Sequence, residues 1–386
     1  MSIIYMDSSA ALPTDRRIVE AMLPYFTTEY GNPSSVHVMG RKAMQAVEES
    51  RSKIAELIGS KPEEIVFTSG ATESNNLAIK GIAYKNREKG GHIITTSIEH
   101  PSILETCKHL EKQGYKVTYL PVDQNGMVDP SSLEEAITKQ TILISVMYAN
   151  HEVGTIQPIK KISKIAKEHN IPLHVDGVPA LSQTHLNVEK DGIDLLTFSS
   201  NDIYGPKGVG ALYIRKGVAL EAIQHGGGQE RRLRSGSENV PGIVGFGKAA
   251  EILQKEREKD IIHLTKLRDK LIKNILAEIE SCALNGHPEK RLPNNVNIRF
   301  DYVEGESLVL NLEMFGIMAS TGSACTSREL RPSHVLAAMG LSPEASHGSL
   351  MLLLNKYNTE AEVDTLLEHL PRVVKRLREI SPLTPR

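Results

Sequence analysis

Apolar residues recur along this chain with two different periods. From Arg41 to Ile58 the positions Ala43, Val47, Ile54 and Leu57 share one helical face, while Glu, Lys and Arg fill the other. From about residue 60 short β-branched runs take over: Glu64 to Thr68, Ile93 to Thr96, Val117 to Val122, Thr141 to Tyr148, Leu173 to Val175 and Leu195 to Phe198. Helical stretches separate most of them, which predicts a mainly parallel sheet covered on both faces. After about Pro241 the strand-rich alternation stops. A charged helical region from Lys255 to Ile279 leads to strands at Asn297 to Phe300 and Ser349 to Leu354, then to a closing helix from Glu360 to Arg378. The expected organisation is a large α/β domain over residues 13–258 and a small α+β domain built from residues 1–12 with 259–386.

Composition adds little that redirects this picture. At 386 residues the chain exceeds the usual single-core size of roughly 250–300 residues, in keeping with two domains. Forty-five basic against forty-seven acidic residues leave a formal charge of −2, which supplies no electrostatic footprint for nucleic acid or an anionic membrane. The first residues meet Asp7 before any signal-like apolar run, and no stretch approaches eighteen consecutive apolar residues, so a cytoplasmic protein is expected. Of three cysteines, Cys107 and Cys282 read as packed small residues; Cys325 lies in a loop of small residues, Ser320 to Ser327, where burial gives no reason for a thiol.

Candidate chemistry gathers where strands end. The run Glu64 to Phe67 turns through Thr68-Ser69-Gly70-Ala71-Thr72 into a helix, offering free backbone N–H groups and a hydroxyl to a phosphate or, more plainly, a helix cap. Asp176 closes an apolar strand, where a buried carboxylate calls for a cationic partner or caps a helix. His100 follows the strand that ends near Ser97 and belongs on the same carboxyl-end rim, as a site residue or simply at the surface.

These residues, together with Gly31 to Ser35, Asn150 to Gly154, Gly205 to Gly208, His225 to Glu230, Arg234 to Asn239, the Gly322 to Ser327 loop and Tyr357 to Thr359, closely resemble the cysteine desulfurases of the NifS/IscS kind. The resemblance runs nearly end to end. It implies an α/β fold-type I pyridoxal-phosphate transferase with a mainly parallel seven-stranded sheet, a homodimer, and transfer of sulfur from L-cysteine onto a loop cysteine for delivery to a U-type iron–sulfur scaffold. Carried over by position, Cys325 is the catalytic loop cysteine and His100 the imidazole stacked on the cofactor. Ala71, Thr72, Ser199 and Asn201 surround its phosphate, Asn150 lies with the cofactor contacts, and Asp176 faces the pyridinium. Ser237 stands at a threonine that reaches the other subunit's phosphate.

The departures matter as much. Asp202 stands where the resemblance calls for the Schiff-base lysine, Asn201 for a phosphate-binding histidine, Pro179 for a glutamine, His151 for an asparagine, and Met351 for the arginine that clamps the substrate carboxylate. A carboxylate forms no imine, and losing a positioned base costs about 10²–10⁴-fold in rate. Lys207 and the run Arg231-Arg232-Leu233-Arg234 are the alternative sources of an amine and a guanidinium, although both also read as structural or solvated charge. Two functions are therefore expected as alternatives. In the first, a desulfurase-like protein of iron–sulfur cluster assembly uses Cys325 as sulfur acceptor or as a ligand to a cluster shared with the scaffold, with ordinary desulfuration impaired. In the second, an active desulfurase holds pyridoxal phosphate noncovalently.

Overall fold

A computed structural model describes residues 3–322 and 332–382 of the chain. Its centre is a seven-stranded sheet, in spatial order Ile65–Thr68, Gly210–Ile214, Leu195–Ser199, Leu173–Asp176, Thr141–Ser145, His92–Thr96 and Lys116–Leu120. Only Gly210–Ile214 runs antiparallel to its neighbours, so the other six strands deliver their carboxyl ends to one edge. The strand runs read from the sequence are all present, shifted at their ends by one to three residues. Gly210–Ile214 is the strand that periodicity did not reveal, because Gly210 and the short Ala-Leu-Tyr-Ile run carry no clear alternation. Gly210 serves a steric purpose there. A Cβ at that position would lie 2.7 Å from the Cα of Gly70, so the absence of a side chain lets the strand approach the Ser69–Thr72 turn.

Helices cover both faces of the sheet. The amphipathic helix is Val38–Ile58, three residues longer at its start than its apolar stripe, because the His37 side chain caps it by accepting from the Gly40 N–H at 3.4 Å. It stops at Gly59, whose φ of +73° is left-handed. On the opposite face Ala71–Lys85 and Pro101–Glu111 bury Leu77, Ile82, Ile103, Cys107 and Leu110.

The charged helical region is one 39-residue helix, Val240–Glu278, that begins at Val240 rather than Lys255. Its first half buries Ile243, Phe246 and Leu253 against the large sheet; its second half buries Leu264, Leu267, Leu271 and Ile275 in a separate apolar cluster. That second cluster joins Ile4 and Met6 to Val296, Ile298, Phe300, Leu350 and Leu352 of a three-stranded antiparallel sheet, and to the closing helix Glu360–Ile380. Thr359 and Glu362 form a reciprocal capping box at the start of that helix. Among the described residues no helix is long and apolar enough to cross a membrane.

Candidate active site

The strand ends of the large sheet open onto a cavity of about 630 Å³. It is lined by the Ser69–Thr72 turn, His100, Asp176, Pro179, Ser199, Asn201 and Asp202 from the large sheet's rim, and closed by Asn294, Asn295, Met351 and Leu353 from the three-stranded sheet and its approach. Strands of a parallel sheet converge at their carboxyl edge, which is why residues far apart in sequence meet here.

Asp176 is 3% exposed and anchors one wall. Its carboxylate accepts from Asn75 Nδ2 at 3.0 Å and from the Val178 N–H at 3.1 Å. The Asn75 amide also donates to Ser102 Oγ at 2.8 Å, and Ser102 in turn meets His100 Nδ1 at 2.8 Å. Because His100 Nδ1 also accepts the Ser102 N–H at 3.1 Å, the neutral ring carries its proton on Nε2. Burial raises the Asp176 pKa, and His100 and the Asn75 amide oppose that rise. Behind this wall Glu99 is fully buried and its pKa is pushed up to about 8 by desolvation, so it stays protonated at neutral pH beside Thr96 and the Met147 N–H.

The next part of the lining, after the neighbouring strand Leu195–Ser199, is built around Asp202. Its carboxylate accepts from the Ser199 hydroxyl in a short hydrogen bond and from Asn201 Nδ2 at 3.1 Å, and Ser199 also reaches Asn201 Oδ1 at 2.9 Å. Desolvation and then the charge of Asp176 raise the Asp202 pKa to about 6, outweighing the Ser199 hydrogen bond. Glu152 lines the cavity farther along. It accepts from Ser333 Oγ at 2.7 Å, and burial pushes its pKa up to about 7. His151 packs edge-on to His100 at 5.5 Å between ring centroids, and burial drives its pKa down to about 3.

No lysine or arginine is among the described residues that line the cavity. Lys207 Nζ points to the Leu12 carbonyl at 3.4 Å, and Met351 presents a thioether from the middle of its strand. Of the arginines at 231–234, none lines the cavity: Arg231 donates to the Ile65 carbonyl, Arg232 is exposed, and Arg234 pairs with the lining residue Glu73 at 2.8 Å. Glu230, Arg231 and Arg232 hold φ values of +43°, +55° and +67°, a left-handed run fastened by the buried Arg51–Glu230 pair at 2.7 Å.

The family profile described as aminotransferase class-V matches residues 4–366. A protein named cysteine desulfurase IscS 1 from Archaeoglobus fulgidus is 59% identical over 379 residues, covering 98% of this chain and 99% of that one. The chain belongs to the cysteine desulfurase family of class-V aminotransferases. Among solved structures it is similar to a NifS-like protein, with a TM-score of 0.91 at 40% identity over 97% of this chain and 100% of the other. It is also similar to a structure titled SspA in complex with cysteine, with a TM-score of 0.80 at 37% identity over 92% of this chain and 100% of the other.

This desulfurase family uses pyridoxal phosphate, and the residues present fit two parts of it. Asp176, desolvated and without a lysine or arginine partner in the described lining, suits a protonated ring nitrogen. The start of Ala71–Lys85, with Thr72, suits the phosphate. The aldehyde end does not fit, since the lining offers it carboxylates and no amine. The predicted site residues Ala71, Thr72, His100, Asp176, Ser199 and Asn201 therefore do meet in one cavity of this family member, yet Ser199 and Asn201 direct their polar atoms to Asp202.

Asn150 does not join the cavity lining. Its side chain is buried in its own turn, donating to the Ile98 carbonyl at 3.0 Å and accepting the Glu152 and Val153 N–H groups at 2.9 Å each, which leaves nothing for a cofactor. Ser237 is exposed and does not line this cavity either. Cys325 lies outside the described residues. Sequence reasoning passed over Asn75, Glu99 and Glu152. Asn75 stood three positions after Thr72, on the helix face that turns toward the sheet; burial of an acid next to His100 or His151 had no sequence signal.

Proposed function

We propose that this protein serves iron–sulfur cluster assembly as a desulfurase-like partner of a U-type scaffold, with Cys325 as sulfur acceptor or cluster ligand and ordinary cysteine desulfuration impaired. One observation carries the reading: the described cavity lining holds no lysine or arginine, and Asp202 and Met351 stand among its residues. By resemblance these are the places of the imine-forming lysine and the carboxylate-binding arginine. The role of Cys325 rests on its place in the loop sequence Gly322 to Ser327 and on the chemistry of thiolates, which suit both persulfide formation and iron. A homodimer is part of the proposal, supported by exposed large apolar residues that include Tyr30 at 71% and Val36 at 88% exposure. So is a cytoplasmic location.

The test has two arms. Wild type should release sulfide from L-cysteine far more slowly than Asp202→Lys with pyridoxal phosphate supplied to both. Cys325→Ala should abolish cluster assembly on the scaffold in reconstitution; unchanged assembly would remove the proposed role. A second reading, desulfuration with pyridoxal phosphate held noncovalently, is favoured by the meeting of Asp176, His100 and Thr72 in one cavity. Appreciable wild-type turnover at saturating pyridoxal phosphate would establish it in place of the first.

A further inference from the structure

Two carboxylates of the cavity lining, Asp176 and Asp202, have no lysine or arginine beside them among the described lining residues; only the His100 imidazole favours the charge of Asp176. Asp176 is held by the Asn75 amide and the Val178 N–H, and Asp202 by the Ser199 hydroxyl and the Asn201 amide, all of them neutral donors. Of the other acids in the lining, Glu73 is neutralised by Arg234 at 2.8 Å, and Glu152 accepts from the neutral Ser333 hydroxyl. Desolvated carboxylates of this kind call for positive charge, and the described lining supplies no lysine or arginine. Above the pKa of Asp202, a ligand can supply that positive charge. It needs two positive groups, one for each carboxylate, and an anionic end for the free N–H groups at the start of the 15-residue helix Ala71–Lys85.

We propose that this cavity is a receptor for the amine form of the family's cofactor, pyridoxamine 5′-phosphate, with Asp176 answering its pyridinium and Asp202 its ammonium. The aldehyde form has only the ring cation and brings a carbonyl oxygen to Asp202, whereas the amine form brings a charge-assisted donor. Substituting an acid for an amine in the wall thus reverses which form of the cofactor is complementary. The inference goes beyond the proposed function, which leaves the cavity without a ligand, and it does not depend on Cys325.

The test compares three probes that share ring and phosphate: pyridoxamine 5′-phosphate, pyridoxine 5′-phosphate, which has a hydroxyl in place of the amine, and pyridoxal 5′-phosphate. Binding to the full chain is measured by calorimetry near pH 8. The amine form should bind at least tenfold more tightly than the hydroxyl form, and more tightly than the aldehyde form. Asp202→Asn, which keeps the shape and removes the charge, should bring the amine and hydroxyl forms to within about threefold of each other. In Asp202→Lys the order should reverse, with the aldehyde captured and fixed by borohydride at position 202. Equal binding of amine and hydroxyl forms by wild type, no binding of the amine, or an undiminished preference in a folded Asp202→Asn protein would each overturn the proposal. None of those results bears on cluster assembly through Cys325.

Discussion

Asp176 and Asp202 line the same cavity from the ends of two neighbouring strands, and their surroundings differ. Asp176 ends a fully buried strand and sits in a relay of side chains, Asn75, Ser102 and His100, each of which positions the next. Asp202 follows its strand in a short 3₁₀ turn and has drawn two neighbours, Ser199 and Asn201, toward itself. One wall is a frame made ready for a cationic ring; the other offers an acid to the group that the ring carries. A binding frame can therefore persist where the reactive group beside it has changed, because the frame is held by packing and hydrogen bonds that do not depend on that group.

The largest expected effect comes from changing the second wall alone. Asp202→Lys should raise sulfide release from cysteine by about 10²–10⁴-fold in the presence of pyridoxal phosphate, read by a colorimetric sulfide assay. A wild type already as fast would erase the contrast between the walls. Next in size is damage to the support of the first wall's turn. The Arg51–Glu230 pair is buried at both ends, and Arg51 also donates to the Ile65 carbonyl at 2.9 Å while Glu230 accepts the Phe67 N–H at 2.8 Å. Removing one partner with Glu230→Ala should cost about 3–5 kcal/mol in denaturant unfolding, since the buried Arg51 guanidinium keeps only the exposed Glu48 at 3.1 Å and the Ile65 carbonyl while the Phe67 N–H loses its acceptor.

Adding Met351→Arg to Asp202→Lys should lower KM for cysteine at least tenfold by restoring a bidentate carboxylate contact; an unchanged KM would mean that Met351 does not face the substrate. The pH dependence is smaller. Folding raises the pKa of Asp202 from 3.8 to about 6 and that of Glu152 from 4.5 to about 7. Their stabilising protonation is complete below the unfolded values and is lost as pH rises through 6 and 7. Asp202→Asn and Glu152→Gln should each flatten the decline of Tm between pH 4 and pH 8, and an identical slope in both variants would rule out these two groups. The smallest effect is at Arg232, whose φ is +67°. Arg232→Gly should gain about 1 kcal/mol of stability by relieving a left-handed conformation.

Much of this molecule was readable from its sequence, and particular residues show where the reading stopped. The β-branched runs located six of the seven strands because burial on both faces of a parallel sheet demands them. Gly210–Ile214 escaped, since its requirement is closeness to Gly70 rather than hydrophobicity. Ala71, Thr72, His100, Asp176 and Asp202 were placed at one rim because strand ends gather there. Asn150, expected among the cofactor contacts, lies outside the described lining and bonds within its own turn, a difference that the sequence does not carry because both kinds of asparagine look alike there.

Residue order alone determined the alternation of strands and helices, the family resemblance and the presence of an acid where an amine was expected. Those depend on local periodicity and on motif spacing, which a linear chain carries in full. Only the tertiary structure decided that Ser199 and Asn201 turn to Asp202, that Asn75 joins Asp176 to His100, and that no cation of the described lining reaches the floor. Charge complementarity is a property of distances of a few ångströms, and folding brings Asn75 to within 3.0 Å of Asp176 and sets Asp202 in the lining of the same cavity.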